Sequence, residues 1–446
     1  MTRAAGTLDS FETQGTARDL DIPLAIVMAA CFLPYINLGP LSAPSQIQPW
    51  AALLAWGWVA VKVLTTGLRI STIQWILLAF ALWFMLFVYA GEGFELETYF
   101  RRSAAFLLSA GIFLAGQHLT PATLWKALKL TLPLWLLFAV LRYVSSSLYF
   151  DLVTPLVPTV VDSTERGTSS LAPEATDFGF TMAVMLVLCM ITRRRLVEEG
   201  VATEKWPLWV ATAGALLSQS GTGYLGLALI GVLYLLTRPP GRYGRPAQIV
   251  AAILVALSAF VLLGAVSSST VRGIDLLRTA LYSPNALMDT TLSYRVAHNA
   301  VGFLGMVDTD LRGYGAGAFV NEAPGVYSRH SLGNTLDLNL YYESAVPATL
   351  SQSPVSHFAV IMLEFGIIGI AYIFVVFGFA VKSEIPFKAI AVAVLITTWA
   401  NSFGASWPPF WVLIGVMMSP YFRARVAPLT ADSKISQHRP APPREK

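Results

Sequence analysis

Two side chains fit for acid–base chemistry interrupt an otherwise apolar run, SPVSHFAVIMLEFGIIG (Ser353–Gly369): His357 and Glu364. At 100° per residue their spacing returns them to nearly the same side of a helix, about two turns apart. An imidazole, with an ordinary pKa of about 6.5, can accept a proton near neutral pH. A carboxylate in hydrocarbon costs of the order of a few kcal/mol, so Glu364 needs a partner or a polar cavity. The run predicts His357 at the outer end of a membrane helix with Glu364 deeper on the same wall. The alternative is that Glu364 only fixes helix packing, through an arginine or a backbone group.

Cations that could hold an anion lie in four other stretches. TTLSYRVAHNAVGFLGM sets Arg295 and His298 on one helical face. GEGFELETYFRRSAAF brings Arg101 and Arg102 after Glu92, Glu95 and Glu97, which invites ordinary ion pairing, with phosphate holding as the other reading. In LRGYGAGAF, Arg312 precedes Gly313, Gly315 and Gly317, a spacing suited to a tight turn or to a loop whose backbone donors cradle phosphate. ERGTSSLAPEATDFGF places Arg166 a few residues before a span that Pro173, Glu174 and Asp177 suit as its first turn and positive end. No His/Cys/carboxylate group has metal-ligand spacing, and neither a Walker loop nor a dinucleotide fingerprint occurs, so no metal or cofactor is expected. Cys31 and Cys189 fall in apolar runs and read as packing residues.

The elements that must position these residues are membrane helices. The chain has 446 residues, 55% hydrophobic and 13% charged, with mean hydropathy +0.61, and its apolar stretches recur at about the 20-residue length that crosses a bilayer. The expected fold is all-α: a polytopic helical membrane protein with about twelve transmembrane helices and a large helical periplasmic loop. Spans are expected near 21–38, 47–63, 73–90, 103–118, 123–146, 175–192, 206–219, 222–237, 247–266, 356–380, 387–402 and 407–420. The organisation is a cytoplasmic tail (1–20), helices 1–9 (21–266), the large outer loop (267–355), helices 10–12 (356–420) and a cytoplasmic, disordered tail (421–446). With both termini inside, all eight lysines are cytoplasmic, while the basic residues left outside are arginines only. Arginine matches phosphate oxygens two at a time, whereas lysine is a plain topology anchor. The basic balance follows from these loops and not from nucleic-acid binding. Within the outer loop, VRGIDLLRTALY and the Arg295 segment read as amphipathic helices lying over the membrane mouth.

Four pieces, RGTSSLAPEATDFG, SQSGTGYLGLAL, LRGYGAGAF and SHFAVIMLEFGIIGI, occur in the order seen in the bacterial O-antigen polymerase and O-antigen ligase superfamily, which the chain resembles over about residues 70–420. The resemblance implies a metal-independent, inverting-type membrane glycosyltransferase. It would take glycan from an undecaprenyl pyrophosphate carrier at the periplasmic face of the inner membrane, beside a flippase and a chain-length regulator of the same pathway. It also implies that Arg166 and Arg295 engage the pyrophosphate and that His357 and Glu364 are the histidine and glutamate of the last outer motif. Phe358 stands where the family often has Asn, and Gly221 and Thr222 follow Ser220 where it often has Arg. The APEATDFG piece is closer to polymerases, so polymerase is the first expectation. A ligase that uses a lipid A core acceptor is the second, and a proton-coupled transporter using His357 and Glu364 as a relay is the rival from another class.

Overall fold

In a computed structural model of the chain, residues 19–39, 46–67, 70–92, 94–160, 167–237, 292–338, 340–351, 356–400 and 407–423 are described, with a few more between 244 and 279. Among them the structure is helical, with one isolated bridge between Val88 and Ala316. The membrane-type helices are α1 (Ile22–Cys31), α2 (Trp50–Thr66), α3 (Thr72–Leu86), α4 (Leu96–Gln117), α5 (Pro121–Val144), α7 (Ala175–Glu198), α8 (Trp206–Leu217), α9 (Gly221–Thr237), α14 (His357–Lys382), α15 (Lys388–Ala400) and α16 (Pro408–Met418). Short α6 (Ser146–Val153) lies between α5 and α7, and α10 (Leu292–Asp308), α11 (Phe319–Arg329), α12 (Leu332–Thr335) and α13 (Leu340–Leu350) belong to the large loop. Most of the expected span 247–266, of the segment VRGIDLLRTALY and of both tails lies outside the described residues.

Local chemistry explains where the helices start. Asp21 accepts the Leu24 N–H at 2.9 Å, with a proline in the first turn of α1. Ser71 and Gln74 close a capping box on α3, and Thr120 caps α5 ahead of Pro121. The helix ends then sort into two sets. At one end Lys62 pairs with Asp21 at 3.1 Å, Lys129 with Glu204 at 2.7 Å, and Ser419 Oγ donates to the Leu119 carbonyl at 3.1 Å. At the other, the Asn37 N–H meets the Leu156 carbonyl at 2.6 Å and the Tyr143 hydroxyl meets that of Leu217 at 2.9 Å. Sequence reading assigned the first set to the cytoplasm and the second to the outside. Helix α7 is buried almost all round, and Phe178 stacks on Trp135 with ring centres 5.5 Å apart.

Three helices, α5, α7 and α14, are long and apolar enough to cross a bilayer; α4 has 22 residues with a more polar start, and the remaining membrane-type helices have 10–17. This is the character of a helical membrane protein. The third, however, is not one rod. Gly366 has φ 56° and ψ −134° inside α14. A Cβ placed on Gly369 would lie 2.5 Å from the Ile361 carbonyl oxygen. The rings of Phe358 and Phe377 are 6.1 Å apart, whereas a straight helix would separate those residues by about 28 Å. The chain therefore folds back sharply at Gly366 into arms 357–365 and 367–382, neither of which has the roughly 20 residues of a span. The span expected at 356–380 is a helical hairpin.

Candidate functional site

The hairpin tip leaves backbone groups without intrahelical partners, and the glycine loop after α10 supplies them. The Ile367 N–H donates to the Leu311 carbonyl at 2.8 Å, Tyr314 N–H to that of Leu363 at 2.9 Å, and Gly315 N–H to that of Glu364 at 2.8 Å. The approach is backbone to backbone. A Cβ on Gly313 would sit 2.6 Å from the Glu364 carbonyl oxygen, and one on Gly366 2.1 Å from that of Leu311. Gly313, Gly315 and Gly317 all have positive φ, which only glycine adopts without strain. On its far side the loop joins the α3–α4 connection, where the Ala316 N–H donates to the Phe87 carbonyl at 2.8 Å. Tyr89 extends this contact, donating its hydroxyl to Glu322 at 2.8 Å. Burial, then the Glu322 hydrogen bond, push its pKa up to about 12.

The Glu364 side chain turns into this junction. Its Oε1 accepts the Phe319 N–H at 3.1 Å, at the N-terminus of α11, and lies 3.5 Å from Arg102 Nη1. The Gly317 N–H donates to the same carboxylate. Oxygen Oε2 of Glu364 and nitrogen Nε2 of His357 have no hydrogen-bond partner among the described residues. The donors at the end of the glycine loop therefore face an anion, and that anion is the protein's own carboxylate. Gly313 N–H is committed to Thr309 Oγ1 at 2.8 Å, so the loop's amides are engaged within the fold. Arg102 pairs with Glu364 and not, as the local sequence suggested, with Glu92, Glu95 or Glu97.

His357 is buried, 5% exposed, with its ring centre 4.9 Å from that of Trp399 and 6.0 Å from that of Phe106. Arg102 and Phe106 are one turn apart on α4, so Glu364 and His357 do face one wall. Their order in depth is the reverse of the expectation. Glu364 is level with the α3–α4 connection and His357 is about a turn or more further into the bundle, because the fold-back reverses the direction of the first arm.

Helix α10 does not lie across a mouth; it packs along that arm. A Cβ on Gly302 would come 2.5 Å from Ala359 Cα, and one on Gly305 3.0 Å from Leu363. Asn299 Oδ1 accepts from Ser356 Oγ at 2.8 Å while its amide donates to the Arg295 carbonyl at 2.8 Å. This places half-buried Arg295 within a turn of the start of α14. His298 is fully buried against Phe319, ring centres 5.8 Å apart, with Nε2 3.2 Å from Thr349 Oγ1. Burial lowers its pKa to about 4, which leaves it neutral and structural at ordinary pH. Arg312 is exposed beside the hairpin tip.

The other two motif pieces pack together elsewhere. A Cβ on Gly167 would lie 2.4 Å from the Ser218 carbonyl oxygen, and one on Gly179 2.5 Å from Ser220 Oγ. Ser220 caps α9 by accepting the Gly223 N–H at 3.0 Å. Tyr149 hydroxyl donates to the Ser170 carbonyl at 2.7 Å, and Ser170 Oγ to that of Trp135 at 2.6 Å. Glu174 is the half-buried N-cap of α7, and its N–H is taken by the Asp177 carboxylate. Asp177 therefore does bond the start of the helix, whereas the Glu174 side chain makes no cap bond and Pro173 lies just before the helix. Arg166 and the side chain of Arg101 are outside the described residues.

Sequence reasoning named Gly317 but missed the Phe319 amide as an anion donor, and it missed Trp399 as the neighbour of His357. The alternating glycines were the one signal for the former, and the latter left none. Comparison with protein-family models, curated proteins and solved structures gives no match.

Proposed function

We propose that this chain is a membrane glycosyltransferase of the O-antigen polymerase type, acting at the outer face of a bacterial inner membrane. It would move glycan from an undecaprenyl pyrophosphate carrier to a sugar hydroxyl of a lipid-linked repeat unit. The observation that carries this reading is the line of Arg102, Glu364 and His357 along one wall of α4, with the Arg295 helix beside it. In it, the arginines neutralise the leaving pyrophosphate, and His357 Nε2 takes the acceptor proton as the new C–O bond forms at the anomeric carbon and the pyrophosphate departs with its electron pair. Because His357 is buried, the sugar ends must reach it within the outer half of the bundle. The order and pairing of the four motif pieces support the same family.

The test is the glycan ladder of cells lacking the protein. Single-repeat product supports the polymerase, and loss of surface glycan with retained lipid-linked polymer turns the assignment to the ligase. A transporter has one observation in its favour, an interrupted apolar helix carrying buried His357 and Glu364. Proton-linked solute uptake into proteoliposomes, lost in His357→Gln, would move the assignment to that class.

A further inference from the structure

Helix α11 begins at Phe319, and at its N-terminus the Gly317 and Phe319 N–H groups and the Arg102 guanidinium converge on one carboxylate, Glu364. Two amides at a helix start and an arginine make an anion site. Glu364 is fully buried and reaches this site from the first arm of α14; its second oxygen finds no partner among the described residues. A carboxylate fills such a site incompletely, having two oxygens where a phosphate group offers more acceptors. The adjoining backbone is held by a loop with positive φ at Leu311 (68°), Gly313, Gly315 and Gly317. A leucine there is strained, which marks a segment kept in place by its neighbours.

We infer that Glu364 is a resident stand-in anion: its carboxylate fills a phosphate site formed by Arg102 and the Gly317 and Phe319 amides, and the pyrophosphate of the lipid donor takes its place on Arg102. This rests on the function proposed above for the choice of ligand. It makes Glu364 a positioning residue and not a catalytic one, since it holds Arg102 ready while excluding other anions. No covalent step is involved: one anion leaves the guanidinium and another arrives.

Two measurements on the full-length protein in nanodiscs test it. The first uses no ligand. In Glu364→Ala, hydrogen exchange of the Gly317 and Phe319 amides should rise at least about tenfold, because their acceptor is gone; unchanged exchange overturns the cradle, whatever the protein's substrate. The second is binding of farnesyl pyrophosphate, with farnesol as the control. Glu364→Gln removes the competing charge but keeps the shape, so its affinity should exceed that of the wild type by about tenfold, and Arg102→Gln should weaken binding. Wild-type binding with equal or weaker binding by Glu364→Gln overturns the stand-in role while leaving the glycosyltransferase reading intact. No preference for the pyrophosphate over farnesol in any variant overturns that reading and the stand-in role with it.

Discussion

The two places where motif pieces meet close broken helices by opposite means. Between α8 and α9 the chain turns at Ser218–Ser220, with Gln219 at φ 48°, and the turn is satisfied from close by. Ser218 Oγ donates to the Ala215 carbonyl at 2.7 Å, Ser220 caps Gly223, and the incoming Thr168 N–H reaches the Leu217 carbonyl at 3.4 Å. Every group is neutral. At Gly366 the break is satisfied by a distant loop and by a buried ion pair. Backbone groups buried at a helix break must find partners within the protein. Neutral hydroxyls achieve this in small, independent steps. The charged junction is more strongly coupled, because removing one charge leaves the other buried without its counter-charge. That difference is why the proposed function is placed in the charged region and not in the hydroxyl one.

The comparison breaks most readily at Gly366. Gly366→Ala puts a Cβ 2.1 Å from the Leu311 carbonyl oxygen in a conformation closed to L-residues. The cost should exceed about 4 kcal/mol, seen as loss of monodisperse protein or a collapsed thermal midpoint. A wild-type midpoint would mean that α14 runs straight and that the charged junction does not exist.

Next is the ion pair. Arg102→Ala strands Glu364 in the interior, a loss of about 3–5 kcal/mol. Arg102→Ala combined with Glu364→Ala should be less destabilised than Arg102→Ala alone. Additive losses in that double-mutant cycle, read by thermal unfolding, would show the two side chains to be energetically independent.

In the hydroxyl region the same treatment should be mild. Tyr149→Phe removes a neutral bond of 2.7 Å to the Ser170 carbonyl, and Ser220→Ala removes a cap; each should cost about 1 kcal/mol and leave the proposed glycan transfer by the folded protein unchanged. A loss of turnover at full stability in either variant would move chemistry into this region and undo the contrast.

How much of this was legible beforehand follows from the range of each interaction. Apolar runs and caps are local, so helices lie at each described expected span, and the seven-residue spacing rightly set His357 and Glu364 on one side. The hairpin was hidden because HFAVIMLEFGIIGIAYIFVV has no proline, Asn, Asp or Ser to mark a turn, and isolated glycines in such runs are ordinary. Only pairing Gly366 with the glycines of LRGYGAGAF reveals the close approach. The Arg102–Glu364 pair joins residues far apart in sequence, while three acids near Arg102 offered themselves first. Local pattern cannot choose between such partners; packing does.

The smallest effect expected is at the rim of the charged region, where the end of α10 meets the end of α11. Asp308 lies 3.0 Å from Arg329 and 2.9 Å from His330 Nε2, and Arg329 also donates to the Tyr314 hydroxyl at 2.9 Å. Burial alone would raise the Asp308 pKa, but hydrogen bonds from His330 and Arg329 outweigh it and hold the carboxyl below its ordinary 3.8. A carboxyl depressed on folding stabilises the fold above its unfolded pKa, and that contribution fades as pH falls through the folded value. Asp308→Asn should therefore lose at most about 1 kcal/mol at pH 6, since the partners are part-exposed. It should also flatten the acid limb of the stability curve below pH 3.8, with the two proteins converging there. A mutant that instead diverges from the wild type as acid is added would place the titrating group elsewhere and detach this rim from the glycine loop.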